Sequence, residues 1–244
     1  MTWQHQDSAS LMDLLQREPS ESQLNSIQSE IQSLDRLIQA SQDRDFLPLC
    51  QSELLRQRML GSETLSFSRL QVIPDKDRKI VENWIKANEQ ITAWVVAGEF
   101  LTLSKLQQIH SLLEGVTDPS PWRSRPIQLG DTPCAPFEDL PRFLLLFDEF
   151  YQSSKDQVHP VILSARVYQW LISIHFFEDT NGRLARLVAD WILALEGYPP
   201  VSFEDEKDTY VFVSPSLPEN FLPGHETSII VHGVRNTLRI LFGV

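Results

Sequence analysis

Apolar residues recur at helical spacing along most of this chain. Leu24, Ile27, Ile31, Leu34 and Ile38 step by threes and fours, which predicts a helix with one apolar stripe. The stripe covers barely two heptads, so it predicts an amphipathic helix packed on its own fold; a coiled-coil dimer seam runs longer. Leu47, Cys50, Leu54 and Met59 predict a second helix over 46–60. After Pro74-Asp75, a longer helix runs through Val81, Trp84, Ile85, Ile91 and Val95 and closes near Gly98. Thr102 is placed to cap the next helix, which buries Leu103, Leu106, Ile109 and Leu113 and ends at Gly115.

The pattern breaks over 117–141. Pro119, Pro121, Pro126, Pro133, Pro136 and Pro141 fall there, with Gly130-Asp131 between short extended runs. This predicts a long loop with a small hairpin over 126–136. Helical spacing resumes at 141–152 and 160–175. It resumes again from Gly182, where Leu184, Leu187, Val188, Trp191 and Leu195 form an apolar face stopped by Gly197-Tyr198-Pro199-Pro200. Residues 201–225 read as irregular, and a final helix or strand covers 227–243. The fold class expected is all-α.

Composition narrows this picture in three ways. The 244 residues suffice for one core, or one core with a small helical extension, and we divide the chain into an N-terminal helical region, 1–75, and a core domain, 76–244. The net charge of −12 argues against bulk nucleic-acid or anionic-membrane binding, while leaving room for a small basic nucleotide pocket. Cys50 and Cys134 make neither a disulfide framework nor a zinc site. No secretory signal and no apolar run of about 18 residues is visible, so the expectation is a cytoplasmic protein, with export as an effector left open.

The chemistry concentrates in twelve residues, His175-Phe176-Phe177-Glu178-Asp179-Thr180-Asn181-Gly182-Arg183-Leu184-Ala185-Arg186. Asn181-Gly182-Arg183 opens a helix, whose N-terminus carries unpaired N–H groups and a positive dipole end that attracts anions. Gly182 lets a ligand approach the backbone closely. Arg183 and Arg186, three apart, suit a polyphosphate better than a single carboxylate. Asp179 beside bound phosphate implies a bridging Mg2+. His175 has the side chain best suited to general-base work, and Phe177 would bury and anchor the loop. Singly, each has a structural reading: a histidine at a helix end, an Arg186–Asp190 pair on a solvated face, Asn181 as an N-cap. Together in one helix–loop–helix they point to a phosphate site.

This stretch resembles the signature of the Fic (filamentation induced by cAMP) family, His-x-Phe-x-(Asp/Glu)-(Gly/Ala)-Asn-Gly-Arg-x-x-Arg. His175, Phe177, Asp179, Asn181, Gly182, Arg183 and Arg186 match it. Leu106-Gln107-Gln108-Ile109-His110, Trp122-Arg123, His159-Pro160 and Gly197-Tyr198-Pro199 are similar to further parts of the family, so the resemblance covers about 80–200. It implies a Fic-type helical bundle with a β-hairpin flap over the active-site cleft. It implies transfer of AMP from ATP to a Ser, Thr or Tyr hydroxyl of a target protein. His175 would be the base and Asp179 the Mg2+ ligand. Thr180, Asn181, Gly182, Arg183 and Arg186 would surround the phosphates. Ile127, Gln128 and Leu129 of the flap would clamp the target as an added strand.

Two positions depart from the family: Phe176 stands where Pro is usual, and Thr180 where Gly or Ala is expected. A β-branched residue at 180 would crowd the phosphates or change the backbone angle. Many members also carry an inhibitory helix; Ser62-Glu63-Thr64 falls where one subclass has it, near 50–64, which makes Glu63 a candidate inhibitory residue that would reach Arg186. The same fold supports transfer of UMP or phosphocholine and removal of AMP. A degenerate nucleotide- or protein-binding module is the non-enzymatic alternative. Self-modification and a homodimer are left open, as is whether a dimer would use residues 22–40.

Overall fold

Helices account for nearly all regular structure in the described residues. The structure is a computed structural model and describes residues 8–17, 19–40, 75–129, 132–202 and 224–242. In chain order the helices are α1 (Ser8–Gln16), α2 (Glu21–Ala40), α3 (Asp75–Val96), α4 (Leu103–Glu114), α5 (Leu140–Ser154), α6 (Pro160–Ile174), α7 (Asn181–Leu195) and α8 (His225–Phe242). Two short strands, β1 (Gln128–Leu129) and β2 (Thr132–Pro133), pair antiparallel, with Gln128 opposite Pro133 and Leu129 opposite Thr132. The helix expected over 46–60, Glu63 and most of the segment 201–225 lie outside the described residues.

Local chemistry sets several boundaries. The Thr102 hydroxyl accepts from Lys105 N at 3.2 Å, and α4 ends at Gly115 in the left-handed region, φ 71°. Gly98 and Gly197 close the turns after α3 and α7 with φ 66° and 76°. Pro160 occupies the first turn of α6, where its missing N–H costs nothing. The segment expected to be a helix or a strand at the end of the chain is the helix α8.

α6 and α7 form the centre and pack together more extensively than any other pair. Sequence spacing gave α7 one apolar face, yet every residue from Leu184 to Leu193 is buried. The reason is its position: α6, α3 and α4 all pack against it. Trp94 of α3 stacks on Trp191 with ring centroids 4.9 Å apart. Buried residues of α1, α3, α4, α5, α6 and α7 form one continuous apolar cluster. A second cluster joins Ile27, Ile31, Leu34 and Ile38 of α2 to Ile230, Val231, Val234 and Leu238 of α8 and to Val161 and Ala165 of α6. The α2 stripe is therefore a packing face within the chain, although Leu24 at its start is 38% exposed.

Candidate active site

The loop between α6 and α7 brings the candidate residues together. His175 follows the last turn of α6 in a left-handed conformation, φ 56°, and is buried. Its Nδ1 lies 2.5 Å from Ile172 O. A carbonyl only accepts, so Nδ1 carries the proton and Nε2 keeps the lone pair. Burial, reinforced by the Arg123 charge, lowers its pKa to about 4; the Ile172 carbonyl and Asp179 oppose this without reversing it. The imidazole is thus neutral near pH 7, with Nε2 set as proton acceptor.

Phe177 is fully buried. Its ring stacks on His110, centroids 3.9 Å apart, and lies 4.9 Å from Trp122. Phe176 is equally buried, edge-on to Phe147 at 5.7 Å and to Trp122 at 5.9 Å, so the residue that replaces proline fills the core. Asn181 begins α7, and its side chain is committed to the loop. Oδ1 accepts from Phe177 N at 3.0 Å, and Nδ2 donates to Phe177 O and Asp179 O at 2.8 and 3.2 Å. It holds the turn that shapes the helix N-terminus.

The first bond of α7 runs from Leu184 N to Thr180 O at 3.0 Å, so Asn181, Gly182 and Arg183 form the positive end of that helix. Asp179 is exposed beside it, and one of its carboxylate oxygens accepts from Thr180 N at 2.6 Å. Arg186 is buried, with its guanidinium carbon 5.9 Å from the Trp84 ring centroid. Asp190 is buried as well and accepts from Val201 N at 2.8 Å, so neither residue of the Arg186–Asp190 spacing lies on a solvated face.

Thr180 adopts φ 64°, the left-handed region that favours glycine and that a β-branched residue rarely occupies. Its hydroxyl donates to Glu114, at the end of α4, in a close contact, and accepts from Arg183 Nη2 at 2.7 Å. Glu114 Oε1 lies 4.0 Å from Arg183. These bonds hold the threonine where a smaller residue would sit without strain.

Three residues not singled out as site candidates complete the geometry. Arg123 is 3% exposed and binds the carbonyl of His175. His110 Nε2 lies 3.0 Å from Asp179 O, and burial lowers its pKa. Glu114 fixes Thr180. Their signal in the sequence is faint: one of two arginines in a proline-rich loop, and two of the several polar residues on an amphipathic helix. Ile127 and Gln128 sit at the start of the paired segment. Ile127 O accepts from Cys134 N at 3.1 Å, and an exposed Arg125–Glu178 pair at 2.8 Å links the segment to the α6–α7 loop.

The Fic/DOC family profile matches residues 100–193, which include this loop. A uridine 5′-monophosphate transferase of Xanthomonas campestris pv. campestris is 29% identical over 199 residues, 74% of this chain and 34% of that protein. A protein adenylyltransferase Fic of Nematostella vectensis is 33% identical over 123 residues, 48% of this chain and 29% of its own. The chain therefore spans about a third of the length of these relatives. The structure of C. elegans Fic-1 superposes with a TM-score of 0.71 at 15% identity, covering 90% of this chain and 72% of that one, and shows the shared fold. Seven matching residues, the helical architecture around them and these likenesses agree: residues 100–193 of the chain are similar to the Fic/DOC family and sit in a fold that the C. elegans protein shares.

Proposed function

We propose that this chain transfers AMP from ATP to a Ser, Thr or Tyr hydroxyl of a protein, and that residues 175–186 carry the reaction. The observation that supports this best is His175. It is a buried imidazole whose Nδ1 proton is fixed on Ile172 O, so that Nε2 is free to take a proton. Nε2 accepts the target hydroxyl's proton as its oxygen bonds to the α-phosphorus. The bond between the α-phosphorus and the oxygen leading to the β-phosphate breaks, and pyrophosphate leaves. The N-terminus of α7, with Gly182 and Arg183, holds the phosphates, Arg186 reaches the γ-phosphate, and Thr180 borders them. Ile127, Gln128 and Leu129 receive the target backbone as an added strand.

The residues present fit a divalent cation. Asp179 offers one exposed carboxylate beside the helix N-terminus, and no group of three or more His, Cys, Asp or Glu able to hold a metal gathers among the described residues. That donor set suits Mg2+, which leaves most of its shell to phosphate oxygens and water. When bound, Mg2+ would neutralise charge on the phosphates.

A second reading, UMP transfer from UTP, is favoured by the likeness to the Xanthomonas transferase, which extends over 74% of this chain. Incubation with Mg2+ and α-labelled ATP or UTP, followed by autoradiography and mass spectrometry of the purified protein, distinguishes the two. Label on wild type but not on His175→Ala is expected, with ATP the better donor. Better labelling from UTP moves the assignment to UMP. No label from either nucleotide, on the protein or on added lysate, rejects nucleotidyl transfer.

A further inference from the structure

We propose that Arg123 is a positioning residue that binds the His175 backbone and both sides of the paired segment 124–136 to one guanidinium, so that target capture and base placement share an anchor. This rests on the reading of His175 as base and of that segment as the target-binding strand.

The geometry is unusual for an arginine. Arg123 is almost fully buried, and carbonyl oxygens take up its side-chain donors. Nε donates to His175 O at 2.6 Å, and Nη2 to Ile174 O at 3.2 Å. Nη1 donates to Arg125 O at 3.1 Å, and Nη2 also makes a close contact with Ala135 O. The backbone joins in, with Arg123 N donating to Phe176 O at 2.9 Å. One planar fork therefore spans the end of α6 and residues on either side of β1 and β2. An ammonium, a compact point charge, has no fork with which to span these carbonyls.

Two physical consequences follow. The cation sits at the C-terminal end of α6, where the helix dipole is negative, which stabilises both the helix end and the left-handed turn at His175. Its charge also disfavours a proton on the imidazole. The charged groups acting on His175 are Arg123 and Asp179, and they act in opposite directions. A purely structural arginine would support stability alone. This one also connects the segment at 124–136 to the base, so displacement of either is felt by the other.

The test uses the full chain without nucleotide. Hydrogen–deuterium exchange is compared in wild type, Arg123→Lys and Arg123→Met, together with NMR titration of the His175 ring proton, assigned by its loss in His175→Ala. Arg123→Lys keeps the charge and loses the fork. Exchange at least roughly tenfold faster is expected in both 124–136 and 175–180, with the His175 midpoint little changed. Arg123→Met removes the charge as well, and the midpoint should rise by about half a unit or more. Faster exchange in only one of the two segments overturns the proposal, as does an unmoved midpoint in Arg123→Met. If Arg123→Met does not fold, paired exchange in Arg123→Lys decides. These readings are separate from the labelling assay. Wild type that labels but shows no paired exchange sinks this proposal, whereas absent labelling sinks the transferase reading.

Discussion

His175 and Thr180 are the two non-glycine residues with positive φ among those described, and both sit in the candidate site. Each has a measurable consequence. His175 has a folded pKa of about 4 against an ordinary value of 6.5, so between these values the unfolded chain binds the proton and the folded chain does not. Its contribution to stability is full above about pH 6.5 and is lost as pH falls through 4, on the order of 3 kcal/mol at most. Denaturant unfolding of wild type and His175→Ala from pH 7 to pH 4 should show that part of the slope only in wild type. Thr180 balances two terms. The left-handed conformation costs roughly 1 kcal/mol, and the hydroxyl's bonds to Glu114 and Arg183 return about as much. Thr180→Gly should therefore change stability by less than about 1 kcal/mol. Freed from the hydroxyl, Arg183 should support faster labelling. A loss of labelling in that variant would mean that the threonine itself contacts the nucleotide.

At the scale of elements, α4 shows how a local signal can place distant chemistry. Thr102 starts it and Gly115 stops it, both legible from residue type, and this fixes which turn carries His110 and which ends at Glu114. Gly115 is also close-packed. A Cβ there would come within 2.7 Å of Asn83 Nδ2, whose amide bonds Leu113 O. Gly115→Ala combines left-handed strain with that clash, and thermal unfolding should show a loss of about 2 kcal/mol. Labelling should fall with it, because Glu114 and His110 hold the loop between α6 and α7 that carries the candidate site. The periodicity of α7 was legible but its burial was not. Five apolar residues marked one face, and the small residues Ala185 and Ala189, which let neighbouring helices approach closely, carry no strong pattern.

At the scale of the molecule, α2 and α8 lie far apart in the chain and share one apolar cluster on α6. Leu34 is fully buried in it. Leu34→Ala should cost about 2–5 kcal/mol, read from denaturant midpoints. Exchange should quicken in α2 and α8 together if they form one packed layer, and in α2 alone if the N-terminal helix is a separate unit.

The sequence by itself determined the helices α2 to α7, the Thr102 and Gly115 ends of α4 and the grouping of candidate residues in 175–186, while it did not mark α1 and left α8 between helix and strand. Those features depend on neighbours three or four residues apart, or on twelve consecutive residues that the chain already holds together. Tertiary structure decided what supports them. Arg123 reaches His175 across 52 positions, Glu114 meets Thr180 across 66, and His110 meets Asp179 across 69. Such pairings depend on how the helices pack, and no local spacing encodes them. The same packing decided that His175 is buried. Burial is the main cause of its lowered pKa, and the Nδ1 bond to Ile172 O leaves Nε2 as the acceptor nitrogen.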